Sequence, residues 1–279
     1  MTSPSNPTRL HRAWVIAGVT FLTLIAAAAF RSTTSVLFEP LEMHFGWTRS
    51  QTSLAVTVNL IFYGLTAPFA AVFMERFTIK RTAMVALTLI GLGTGLTLTM
   101  TEVWQLVLYW GVFVGLGTGA LALVFASIVA NRWFETRRGL VTGIFSAAYA
   151  TGQLLFLPLI AHLVMDSGWQ LGSLVVTLLV AALIPIFFFL FKEKPADVGL
   201  LPYGATEPRV EEPAPRTVKA TITTLTEAFR SKAFWVLAGT FFVCGWTTNG
   251  LIGAHFIPAA HDHGMPATTA ASLLAIVGI

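Results

Sequence analysis

The chain has 279 residues, of which 55% are hydrophobic and only 11% charged. That composition describes a protein whose solvent is mostly lipid, and it excludes a soluble globular enzyme. The net charge of +4 comes without a basic stripe carrying spaced aromatics, which argues against a nucleic-acid partner, and the single Cys244 has no partner for an internal disulfide.

A hydrocarbon core about 30 Å thick needs about 20 apolar residues of helix. Residues 13–38, 51–74, 82–101, 104–130, 139–165, 169–191 and 233–258 meet that length, and an eighth run opens near Thr268 and stops at Ile279. Strand alternation is absent and the runs are too long for barrel strands, so the predicted fold is all-α and transmembrane, with seven full spans and a truncated eighth. In the first run the apolar character continues past Ala26 to Ala29 as far as Phe38, too long for a secretory signal core.

Fifteen of the 17 Lys and Arg residues fall in gaps that share one side of the membrane when the runs are threaded in order. The opposite gaps hold only Arg49, and Arg31 lies inside the first run. Short Lys/Arg-rich loops stay cytoplasmic, so a multi-pass protein of the cell (inner) membrane is expected, with its amino terminus inside.

Arg31 stands out because its guanidinium costs about 2.5–3.5 kcal/mol on insertion scales and stays protonated. Two uses are open. It can snorkel, since Phe38 at the boundary is only about 10 Å further along the helix. It can also face a water-filled cavity as an anion-binding charge, with Thr34 and Ser35 on the same or an adjacent face. Asn59 and Tyr63 in the second run, and Tyr149 and Gln153 in the fifth, are each four apart and form polar stripes, either lining a cavity or bonding neighbouring helices. Gly111, Gly115 and Gly119 in the fourth run repeat every four residues, a close-packing signal.

Residues 192–232 carry charge and Pro195, Pro202, Pro208, Pro213 and Pro215, and so read as a cytoplasmic linker whose end, Leu225 to Phe234, suits a short interfacial helix. The linker divides a six-helix bundle, 1–191, from the start of a second, 233–279. In that second part Asn249 is a further polar candidate and His255 a candidate for proton exchange. Trp14, Val15, Ile16, Ala17, Gly18 and Phe21 are answered by Trp235, Val236, Leu237, Ala238, Gly239 and Phe242 at one offset of 221 residues, which suggests duplication. No Asp or Glu lies deep in a complete run. There is no P-loop, metal-spaced Cys/His cluster or nucleophile elbow, so catalytic residues, metals and cofactors are not expected.

Two related halves joined by a long cytoplasmic loop resemble the major facilitator superfamily of secondary transporters. On that resemblance the second half needs four or five further spans, and the chain is expected to be part of a longer frame or a truncated product. Trp133, Phe134, Arg137, Arg138, Leu140 and Gly143 are similar to the signature before the fifth span of the monocarboxylate porter branch and its oxalate/formate relatives, with Thr136 and Val141 as departures. Phe30, Arg31, Ser32 and Phe38 resemble a first-span segment with a basic residue that the family associates with carboxylates. Glu75, Arg76, Phe77, Lys80 and Arg81 resemble the superfamily loop between spans two and three, with Glu75 for Asp and Thr78 for Gly.

The resemblance implies a carrier for small organic anions, in particular monocarboxylates, working by alternating access within the lipid bilayer, with protons as a candidate coupling ion. Arg31, Asn59, Tyr63, Tyr149, Gln153 and Asn249 would contact substrate, and Glu75, Arg76, Lys80, Arg81, Arg137 and Arg138 would gate. The alternatives are an exporter of neutral solutes or drugs and a non-transporting membrane subunit.

Overall fold

In lipid each backbone N–H must find its partner within its own segment, so the apolar runs become helices. The structure, a computed structural model, describes residues 11–207 and 217–277, with the side chains of 31–35, 38, 249, 250, 254, 275 and 277 outside the description. Helix α1 spans Arg12–Phe45, α2 Arg49–Phe77, α3 Ile79–Thr97, α4 Val103–Trp133, α5 Arg138–Ser167 and α6 Trp169–Leu190. These six are long and apolar enough to cross a membrane. Beyond them come a 3₁₀ turn at Pro195–Val198, then α7 at Val218–Phe229, α8 over residues 232–262 and α9 at Ala267–Val277.

The helix ends follow local chemistry. His11 Nδ1 accepts from the Ala13 amide and caps α1, and Gly46, with φ of +71°, closes it in the left-handed region. Thr48 with Gln51, and Glu102 with Gln105, form reciprocal boxes at the starts of α2 and α4. Two widened π segments interrupt the regular pattern, Val107–Val114 in α4 and Trp246–Ile252 in α8.

Packing pairs α1 with α5, α3 with α6, and α2 with α4. The glycine ladder explains the last pair. A Cβ on Gly111 would stand 2.9 Å from Val58 Cγ1, one on Gly115 2.8 Å from the Asn59 carbonyl, and one on Gly119 2.7 Å from the Tyr63 carbonyl. Each lack of a side chain lets α4 lie directly on the backbone of α2. Gly117 points the other way, where its Cβ would meet the Ala86 carbonyl of α3 at 2.6 Å.

The second half of α8 packs on α1 and α9, and α9 packs on α5, while the start of α8 meets the end of α7, where Trp235 Nε1 donates to the Phe229 carbonyl at 2.9 Å. The first half of α8 presents Trp235, Val236, Leu237, Phe241, Phe242 and Trp246 outward, each at least 60% exposed.

Candidate functional site

Contacts between helices fix which predicted residues share a depth. The Phe30 ring of α1 meets the Trp110 ring of α4 edge-on at 5.4 Å, and Asn59 Nδ2 of α2 donates to the Trp110 carbonyl at 2.8 Å. On the other flank of α1, a Cβ on Gly152 of α5 would stand 2.6 Å from Ala28 Cβ. Residues 28–31, Asn59, Trp110 and the Tyr149–Gln153 turn therefore form one layer across four helices. The backbone of Arg31 belongs to that layer, and its side chain lies outside the described part.

Asn59 spends one amide donor on α4, within the π segment, which is a packing role. Tyr63 lies one turn further along α2. Gln153 Nε2 is 3.5 Å from the Tyr149 hydroxyl, so the second polar stripe is present on α5, with Tyr149 half-exposed. Asn249 sits in the π segment of α8, its side chain outside the description, and His255 is exposed. A partly open pocket between α1, α3, α4 and α6, lined by Phe30, Thr94, Trp110, Trp169 and Ser173 among others, has a volume of only about 20 Å³. That is room for about one water and excludes it as a place for a solute.

The basic gaps meet at one end of the bundle. Glu193, just beyond α6, accepts from the Ile79 and Lys80 amides at 2.9 and 3.0 Å and pairs with Arg132 Nη1 at 2.6 Å. One carboxylate thereby caps α3 and ties it to the ends of α4 and α6. Lys80 Nζ lies 4.4 Å from the centre of the Phe188 ring, and Arg76 Cζ 5.6 Å from that of Phe77. The Arg81 amide donates to Thr78 Oγ1 at 3.3 Å. Glu75 lines an open groove between α2 and α4 with Ala71, Leu123 and Ser127. Arg138 Nε donates to the Phe134 carbonyl, while Arg137 is exposed and adopts φ of +61°.

Sequence reasoning missed three residues. Glu193 bonds to α3 and Arg132, and Tyr203 bonds through its backbone to Trp133, Glu135 and Thr136, all far away in the chain, so no local pattern announces either. The third is His261, which nothing in the sequence sets above His255, yet its Nδ1 lies 3.2 Å from Glu39 Oε1 and joins the far end of α8 to α1.

The family profile of the Major Facilitator Superfamily matches residues 19–279. The chain belongs to this superfamily. It is 24% identical over 278 residues to the uncharacterized MFS-type transporter YcxA of Bacillus subtilis, an alignment covering 94% of the chain and 62% of YcxA. It is 28% identical over 271 residues to monocarboxylate transporter 4 of Mus musculus, covering 95% of the chain and 54% of that protein. The chain thus spans between half and two thirds of the length of these curated relatives. A crystal structure of a D-xylose-proton symporter superposes with a TM-score of 0.67 at 14% identity, over 96% of this chain and 66% of the symporter chain. At that identity the likeness concerns the fold. These superfamily relatives are transporters by name, and the chain, like them, is a multi-pass membrane protein.

Proposed function

We propose that the protein serves as a secondary active transporter of small organic anions, monocarboxylates in particular, by alternating access. The observation that carries this reading is the position of Arg31, at the depth where α1, α2, α4 and α5 meet. A permanently charged guanidinium is tolerated at such depth where water or an anion faces it. The alignment of 95% of the chain with proteins named monocarboxylate transporter 4 supports the same class of anion.

In this reading residues 1–191 form one bundle, 192–232 the cytoplasmic linker and 233–279 the start of the second bundle, with seven spans, an opening eighth and the amino terminus on the inside of the cell membrane. Arg31 attracts the carboxylate, and Asn59, Tyr63, Tyr149, Gln153 and Asn249 supply hydrogen bonds as the halves rock around it. Glu75, Arg76, Lys80, Arg81, Arg137 and Arg138 gate the cytoplasmic end. His255 is the candidate for proton coupling in this reading, and His261, 3.2 Å from Glu39, stands on the same helix.

The test is tracer uptake into vesicles from cells that express the protein. Saturable uptake competed by small monocarboxylates and not by neutral analogues of the same size is the expected result. Competition by the neutral analogues alone would replace this reading with a neutral-solute carrier.

A further inference from the structure

The segment after α6 is not simply a tether, because its backbone is stitched to the loop between α4 and α5. The Tyr203 amide donates to the Trp133 carbonyl at 2.8 Å, and the Tyr203 carbonyl accepts from the Glu135 and Thr136 amides at 3.0 and 3.2 Å. Phe134 and Tyr203 form an isolated parallel β-bridge. The Tyr203 ring closes the arrangement, with centroids 5.4 Å from His11, 5.7 Å from Trp14 and 5.8 Å from Phe134. Burial holds the His11 imidazole below its ordinary pKa, which keeps Nδ1 an acceptor for the start of α1.

Gly204 completes the fit. Its φ is +84°, and a Cβ there would stand 1.9 Å from Thr136 Oγ1, so a side chain is excluded both by conformation and by space. Upstream, Phe191 is fully buried and stacks on Phe187 at 4.5 Å, Pro195 is buried, and Glu193 is bonded to α3 and α4. The segment 191–204 is therefore anchored at both ends to the first bundle.

The loop so held is the one that turns into α5 through Arg137 in the left-handed region and Arg138 folded back on the Phe134 carbonyl. A left-handed non-glycine residue persists only when its surroundings over-determine it. We propose that Tyr203 and Gly204 are positioning residues, a clasp that fixes the α4–α5 loop and with it the basic pair Arg137–Arg138 for the conformational step of transport. This rests on the transport reading for its kinetic consequence, though not for the clasp itself.

The experiment compares Tyr203→Ala, Tyr203→Phe and Gly204→Ala with the unaltered protein at matched membrane levels. Amide hydrogen exchange is followed in the peptide 133–137, which contains the two amides bonded to Tyr203, alongside the concentration dependence of carboxylate uptake. Tyr203→Ala is expected to speed exchange of that peptide about tenfold and to lower the maximal uptake rate severalfold with KM unchanged, since the clasp lies far from the Arg31 layer. Tyr203→Phe, which keeps the ring and the backbone bonds, restores both. Should Tyr203→Ala be lost from the membrane, Gly204→Ala, which strains the turn and drives a methyl group against Thr136 while keeping the Tyr203 ring, carries the same two readouts.

Unchanged exchange in the variants overturns the clasp whatever uptake does. Faster exchange with an unchanged maximal rate, or with a change in KM alone, overturns the positioning role. Absence of uptake in the unaltered protein defeats the transport reading alone, because the exchange measurement judges the clasp without it.

Discussion

Thr78 is the single residue that joins α2 to α3, and it holds φ of +83° and ψ of 149°. That region is open in practice only to glycine, and a residue forced into it costs about 1–3 kcal/mol. The sequence already marks the position, since Thr78 stands where the resembling loop has Gly, but it does not reveal how the strain is held. The answer lies in the caps: the Glu193 carboxylate takes the first two amides of α3, those of Ile79 and Lys80, and Thr78 Oγ1 accepts from the third, that of Arg81. Thr78→Gly is expected to relieve the strain while losing a cap bond worth only a few tenths of a kcal/mol against glycine. The net gain is about 1 kcal/mol, read as a rise of about 2–4 °C in the thermal midpoint of the purified protein. An unchanged or lower midpoint would mean that the Thr78 hydroxyl outweighs its backbone strain.

At the scale of elements, helices were legible because each apolar run is long enough to have no other stable form in lipid. The spacing of Gly111, Gly115 and Gly119 was legible as a close approach, and the structure supplies the partner, α2 at Ala55, Val58, Asn59, Phe62, Tyr63 and Thr66. The π segments were not legible, because one extra residue in a turn leaves no mark on hydropathy. The anchoring of 191–204 was missed for a related reason: five prolines and several charges between residues 192 and 232 read as solvated chain, while the bonds that fix Tyr203 are made by backbone. Gly115→Val forces a side chain into the Asn59 carbonyl and the Phe62 Cβ, and is expected to cost about 1–3 kcal/mol by overpacking. The same change at Gly139, whose Cβ position is open, is the control. Comparing their thermal midpoints checks this, and equal losses at the two sites would remove the ladder as the reason for the α2–α4 pairing.

For the whole molecule, the distribution of Lys and Arg carried the most information. The gaps after the second, fourth and sixth runs, which the threading put on one side, do meet at one end of the bundle: Ile79 and Lys80 reach Glu193, Glu193 reaches Arg132, and Trp14, Phe134 and Tyr203 pack together. The site was less legible. The backbone of Arg31, Asn59 and the Tyr149–Gln153 turn share a layer, and the bond that Asn59 makes there is one of packing, since a polar stripe reads the same whether it faces a helix or a cavity.

The central claim is that the charge of Arg31 recruits the carboxylate. The direct measurement is initial-rate uptake of a labelled monocarboxylate by vesicles carrying Arg31→Ala, beside vesicles with equal amounts of the unaltered protein. The account predicts uptake reduced to background in Arg31→Ala at an unchanged membrane level, and uptake at the unaltered rate in that variant would contradict it.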